Sequence, residues 1–134
     1  MHLVDTNVIS ELARPRPAQA VLRWFAAQDG VALSVISVEE LAYGVARAPV
    51  ARRPKLAAWF EALLGTVENI FDVTHAIGRA SGELRAARDT AGRPVAQADM
   101  LIAATALVHG LTLATRNIAD FDGCGVVVVD PFSS

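Results

Sequence analysis

The sequence predicts an α/β protein: a three-layer α/β/α sandwich with a central, mainly parallel sheet, formed by residues 1–134 as a single domain. Three observations carry this. Short apolar runs alternate with longer stretches of helical periodicity along the whole chain, the pattern of a parallel sheet covered on both faces. The run Val126-Val127-Val128-Val129 has no polar alternation, as expected of a strand buried on both sides. At 134 residues, with a hydrophobic fraction of 53%, the chain is long enough for one real core.

The elements follow in order. Residues 2–4 form a short buried strand. Residues 5–13 form a helix, stopped by Arg14-Pro15-Arg16-Pro17, because proline cannot continue a helix and restrains the residue before it. Residues 18–28 carry Val21, Leu22, Trp24 and Phe25 on a helical face. Asp29-Gly30 is a turn into a strand at 31–35. A helix at 37–47 breaks at Ala48-Pro49. The helix at 52–64 places Leu56, Trp59, Phe60, Leu63 and Leu64 on one face and closes at Gly65. A strand is expected at 67–73, then a long helix at 74–90 with Ile77, Ala80, Leu84 and Ala87 inward. After a loop at 91–94, an alanine-rich helix at 96–108 ends at His109-Gly110, with glycine in the left-handed capping position. A strand at 111–115, a loop or single turn at 117–121 and a last strand at 125–129 complete the chain, with no repeat or linker.

Formal net charge is −2, which is no nucleic-acid footprint in itself. The cations are clustered, however: Arg14, Arg16 and Arg23; Arg47, Arg52, Arg53 and Lys55; and Arg79, Arg85, Arg88 and Arg93. Arginine suits phosphate contacts, although a GC-rich genome gives the same bias. One cysteine, Cys124 between two glycines, excludes an internal disulfide and fits a reducing cytoplasm. No apolar stretch approaches the ~20 residues of a spanning helix, and the N-terminus does not read as a signal peptide. A cytoplasmic protein without membrane contact is expected.

Three acids stand in apolar settings: Asp5 in Leu3-Val4-Asp5-Thr6-Asn7, Glu40 in Ser37-Val38-Glu39-Glu40-Leu41, and Asp99 in Ala98-Asp99-Met100-Leu101-Ile102. A carboxylate among residues that seek burial is costly unless compensated. Several such hard oxygen ligands share a compensator most simply in a divalent cation, Mg²⁺ or Mn²⁺. Each acid also has a local structural reading. Asp5 is a good N-cap. Ser37 to Glu40 matches a capping box. Asp99 in a first turn favours the helix dipole, and Gln97 or Asp99 would cap that helix. Those readings leave Thr115-Arg116-Asn117-Ile118-Ala119-Asp120 unexplained, where polar groups gather just past a strand. Sites in open α/β sheets lie beyond the carboxyl ends of the strands, which puts Asp5 and the Asn117–Asp120 segment at one edge. Asp29, Glu61, Glu68, Glu83, Asp89 and Asp122 read as solvated. His2, His75 and His109 lack metal-ligand spacing, and the helix dipole accounts for His109.

The stretches Leu3 to Glu11, Ser37 to Val45, Ala98 to Ala106 and Leu113 to Asn117, in this order and spacing, resemble the PIN-domain ribonucleases. Within them they resemble the VapC toxins of bacterial toxin–antitoxin pairs, including the FitB-like branch. The resemblance implies a metal-dependent endoribonuclease using Mg²⁺ or Mn²⁺, an RNA substrate, a VapB-like antitoxin partner and a homodimer. It carries the family's acids onto Asp5, Glu40 and Asp99. The fourth acid falls at Asn117, which offers an oxygen but no charge; either Asn117 or Asp120, three residues on, completes the site, and Asp120 also reads as a turn residue that bonds nearby backbone amides. Thr6, Asn7, Ser37, Thr115 and Arg116 are then expected to orient ligands or water around it, with Arg116 directed either to phosphate or to the carboxylates.

Two alternatives differ in class. An aspartyl-nucleophile phosphohydrolase of the haloacid dehalogenase kind needs a second Asp where Asn7 stands and a suitably placed lysine, and Lys55 is the only lysine. A receiver domain wants an acidic pair and a late lysine that the chain lacks. A PIN-like module that binds RNA or an antitoxin without turnover is the non-enzymatic reading that Asn117 suggests.

Overall fold

The computed structural model describes residues 1–133. Five strands, β1 (His2–Val4), β2 (Val31–Ser34), β3 (Asn69–Phe71), β4 (Thr112–Ala114) and β5 (Val128–Val129), pair in the order β3-β2-β1-β4-β5. Every pairing is parallel, with His2 opposite both Val31 and Thr112. Six α-helices connect and cover them: α1 (Thr6–Leu12), α2 (Gln19–Ala26), α3 (Val35–Arg47), α4 (Arg53–Thr66), α5 (His75–Thr90) and α6 (Gln97–His109). The chain leaves β1 towards β2 on one side and later returns to β4 on the other. The crevice between the ends of β1 and β4 is therefore the switch point at which such sheets bind ligands.

The central strands are apolar throughout because both faces are covered. Side chains alternate across a strand, so Leu3 and Ala32 enter one core with Met100, Ala103 and Ala106 of α6. Val4 and Leu33 enter the other, with Val8, Ile9, Leu41, Phe60 and Leu63. The alanines of α6 let it lie close against the sheet and α5; Ala103, Ala104 and Ala106 are fully buried. Gly110 ends α6 at φ 65, the left-handed conformation expected there. Among the described residues no helix is long and apolar enough to cross a membrane.

Several expectations are corrected. The tetravaline run is not a doubly buried strand: β5 is a two-residue edge strand, and Val127 is 67% exposed. Helix α3 begins at Val35, capped by Ser34, whose Oγ accepts from the Ile36 N–H at 3.0 Å. Ser37 thus lies inside the helix, buried, and the capping box does not form. Neither Gln97 nor Asp99 caps α6; Ala96 is its N-cap, without a side-chain bond. Helix α4 runs one residue past Gly65. On α5 Ala87 is exposed and Arg88 is buried in its neighbourhood, donating to the Arg93 and Asp122 carbonyls at 3.1 and 2.6 Å. His109 stacks on Phe71 with ring centroids 3.9 Å apart, so packing as well as the dipole fixes it.

Candidate active site

Asp5 follows β1 directly and caps α1, its Oδ1 accepting the Thr6 N–H at 2.8 Å. Its Oδ2 accepts the Thr115 hydroxyl at 2.7 Å and the Asn7 amide at 3.2 Å. The cap and the site are one residue, because helix and crevice begin at the same strand end. The Asp5 N–H bonds the Ala114 carbonyl at 2.8 Å, tying the carboxylate to β4 as well. Asp5 is only 4% exposed. Burial pushes its pKa up, the Thr115 and Thr6 bonds oppose this, and the charges of Glu40 and Asp120 add to the rise.

Glu40 is brought to the same place by α3. The Thr6 hydroxyl donates to Glu40 Oε1 at 2.7 Å and lies 2.9 Å from Ser37 Oγ. Glu40 therefore reaches across to α1 rather than back to its own helix start. Asp99 stands in the first turn of α6. Its pKa is pushed up to about 6, first by burial and then by the charges of Asp5, Asp120 and Glu40.

Asp5, Thr6, Asn7, Glu40, Asp99 and Asn117 line one open cleft of about 530 Å³. Asn117 is held by its N–H to Thr115 Oγ1 at 3.1 Å. Asp120 sits in the 3-10 turn Ile118–Phe121, its N–H bonded to the Asn117 carbonyl at 3.0 Å. It is not in the cleft wall, but its charge acts on both Asp5 and Asp99. Arg116 bonds Asn7 Oδ1 through its backbone N–H at 3.2 Å, while its guanidinium lies over the Phe132 ring, 4.5 Å from the centroid, and not on the carboxylates.

Ser10, Glu11 and Arg14 also line the cleft and were missed as site residues. The spacing Asn7, Ser10, Glu11 puts them on one face of α1 and would have found Ser10 and Glu11; Arg14 lies in the bend past its end. Glu11 is buried, accepting the Ala18 N–H at 2.8 Å and Arg14 at 3.3 Å. Arg14, the only cation in the cleft wall, is thus engaged by Glu11.

Among the described residues no three Asp, Glu, His or Cys side chains stand close enough to enclose an ion by themselves. An ion here would need waters or substrate oxygens to complete its shell, as Mg²⁺ commonly has. The donor set fits such an ion: three carboxylates in one cleft, where neighbouring negative charge helps raise the pKa of Asp5 and of Asp99, with no free cation in its wall. Asp120→Ala is expected to weaken Mn²⁺ binding more than Asn117→Ala does, since only Asp120 contributes charge. Calorimetric titration checks this; an unaffected Asp120→Ala with an impaired Asn117→Ala would reverse the order.

Fold and cleft together define a parallel α/β/α protein with an acidic crevice at its switch point. The PIN domain family model matches residues 2–122, and the chain belongs to that family. The VapC ribonuclease Y4jK of Sinorhizobium fredii is 37% identical over 98% of both chains. The crystal structure of FitAcB from Neisseria gonorrhoeae matches with a TM-score of 0.93 at 35% identity over 100% of both chains. A toxin–antitoxin complex from Klebsiella pneumoniae matches with a TM-score of 0.78 at 28% identity, again over 100% of both chains.

Proposed function

We propose that this chain is a Mg²⁺- or Mn²⁺-dependent endoribonuclease, the toxin of a toxin–antitoxin pair, with Asp5, Glu40 and Asp99 as its metal-binding acids and Asp120 adding negative charge behind them. The observation that carries the reading is the convergence of Asp5, Glu40 and Asp99, from three distant parts of the sequence, on one cleft at the switch point. The resemblance to VapC ribonucleases and to a toxin–antitoxin complex supports the same assignment. The partner is then an antitoxin, and a homodimer in the cytoplasm is the expected form.

Asp5 and Glu40 would hold the ion together with Asp99 from α6. A bound Mg²⁺ or Mn²⁺ supplies an acidified water and neutralises charge developing on the phosphate. Thr6 fixes Asp5 through its N–H and Glu40 through its hydroxyl. Thr115 fixes Asp5 Oδ2 and, through Asn117 N–H, the rim that carries Asn117. Asn7 bridges Asp5 and the Arg116 backbone. These bonds orient the carboxylates before substrate arrives; losing such a supporting bond typically costs 10–100-fold in affinity or activity. Asp120 adds negative charge from behind, and Asn117 offers a neutral oxygen at the wall.

Without divalent ions RNA cleavage is expected to cease, and Mg²⁺ or Mn²⁺ is expected to restore it. Following labelled RNA through chelation and re-addition tests this; undiminished cutting in chelator would overturn it. A pure binding module would leave RNA intact under all these conditions.

A further inference from the structure

A second hollow, of about 440 Å³, adjoins the acidic cleft, and Arg14 lines both. A smaller hollow of about 180 Å³ joins them, sharing Leu56 and Trp59 with one and Ser10 and Glu40 with the other. The three adjoin one another through these shared wall residues, as a trough. Its far part differs in character from the cleft: it is walled by Arg52, Lys55, Leu56 and Trp59. Among the described residues the ion pairs are Arg14–Glu11 and Arg93–Asp122, so Arg52 and Lys55 have no acidic partner. The first turn of α4 holds no acid to offset them. Trp59 is half-buried and anchored against the apolar core beneath the trough. On a chain of net charge −2, this concentration of positive charge is local and not a general coating.

We infer that this trough holds single-stranded RNA flanking the bond cut in the acidic cleft, with Arg52 and Lys55 on phosphates and a base stacked on Trp59. The inference rests on the ribonuclease reading. Charge complementarity selects a polyanion. Continuity with the acidic cleft selects the strand being cut. An aromatic face beside cations is how single strands are held without sequence preference. The arrangement also answers an electrostatic difficulty. A cleft crowded with carboxylates repels a polyanion, and cations further along the trough supply attraction that the cleft lacks.

The test uses the full chain carrying Trp24→Phe, which leaves Trp59 as the only indole. Oligouridylate is titrated in chelator at several salt concentrations, following tryptophan emission. Binding is expected to quench Trp59. The dependence of log Kd on log salt is expected to become shallower by about 1.4 when Arg52→Gln and Lys55→Gln are combined, at ~0.7 for each phosphate no longer neutralised. Trp59→Leu, which lacks an indole and is therefore followed by the anisotropy of fluorescein-labelled oligouridylate, is expected to bind about tenfold more weakly, within the range for one base–aromatic stack. Binding with unchanged Trp59 emission and an unchanged salt slope would overturn the proposal. So would quenching by oligoglutamate but not by oligouridylate, which would make the trough a groove for an acidic protein segment. The two readings fail separately: RNA that quenches Trp59 yet is never cut in Mg²⁺ or Mn²⁺ supports the trough and removes the hydrolysis.

Discussion

Asp5→Asn is expected to lower RNA cleavage by about a thousandfold or more, ~4 kcal/mol of transition-state stabilisation, while the protein stays folded. The loss follows from removing the carboxylate that is held on both oxygens, by Thr6, Thr115 and Asn7. The fold survives because Asn is as good an N-cap as Asp, so α1 keeps its first bond from the Thr6 N–H. The Thr115 hydroxyl can turn to accept from the new amide. Discarding a buried negative charge near Glu40 and Asp120 also relieves repulsion. Cleavage of labelled RNA and thermal melting, measured on one preparation, check both halves. Unimpaired cutting would sink the mechanism, and an unfolded variant would make Asp5 chiefly a helix cap.

Asp99→Asn is expected to abolish cleavage and to stabilise the metal-free protein at neutral pH. The Asp99 carboxyl is pushed up to about 6 in the fold, above its ordinary 3.8. The folded state therefore binds a proton more tightly than the unfolded chain. The stability this contributes is fully present below 3.8 and is lost as pH rises through about 6. Asn cannot ionise, so the variant escapes that loss. The gain is on the order of 1 kcal/mol, after allowing for solvent screening of a half-exposed group. Urea unfolding of both proteins in chelator, across that pH window, should give curves that diverge as pH rises. Saturating Mn²⁺ should close or reverse the difference, because the ion stabilises only the protein that binds it. Parallel curves in chelator would mean that Asp99 is not in the acidic group.

The fold class was legible because strands covered on both faces lose their polar alternation, as Leu3-Val4 and Ala32-Leu33 do. Helix boundaries were less so where two residues compete for one role. Ser34 and Ser37 both qualify as N-caps, and local spacing favoured the wrong one; α3 starts earlier because Ser34 ends β2 at the point where the chain turns. The valine run misled because hydrophobicity alone does not separate a central strand from an edge strand, and sheet order decides that. Ala87 and Arg88 misled for a related reason: a buried arginine satisfied by the Arg93 and Asp122 carbonyls depends on loops far along the chain.

At the site, residue types and their apolar settings pointed to Asp5, Glu40 and Asp99, which line one cleft, but not to what holds them. The Thr6 hydroxyl joins Ser37 and Glu40 across 31 and 34 residues, and Thr115 joins Asp5 across 110. Contacts of that range arise from the parallel register of β1 with β2 and β4, which no local pattern encodes. Glu11 was not singled out because its role, accepting the Ala18 N–H, belongs to the turn after α1.

The most direct test of the central claim is anomalous diffraction from crystals soaked in Mn²⁺ at neutral pH, at an ion concentration that supports RNA cleavage in solution. The prediction is a manganese peak in the cleft, in contact, directly or through water, with Asp5, Glu40 and Asp99. An empty cleft in crystals so soaked, or a peak bound away from these three carboxylates, would contradict it.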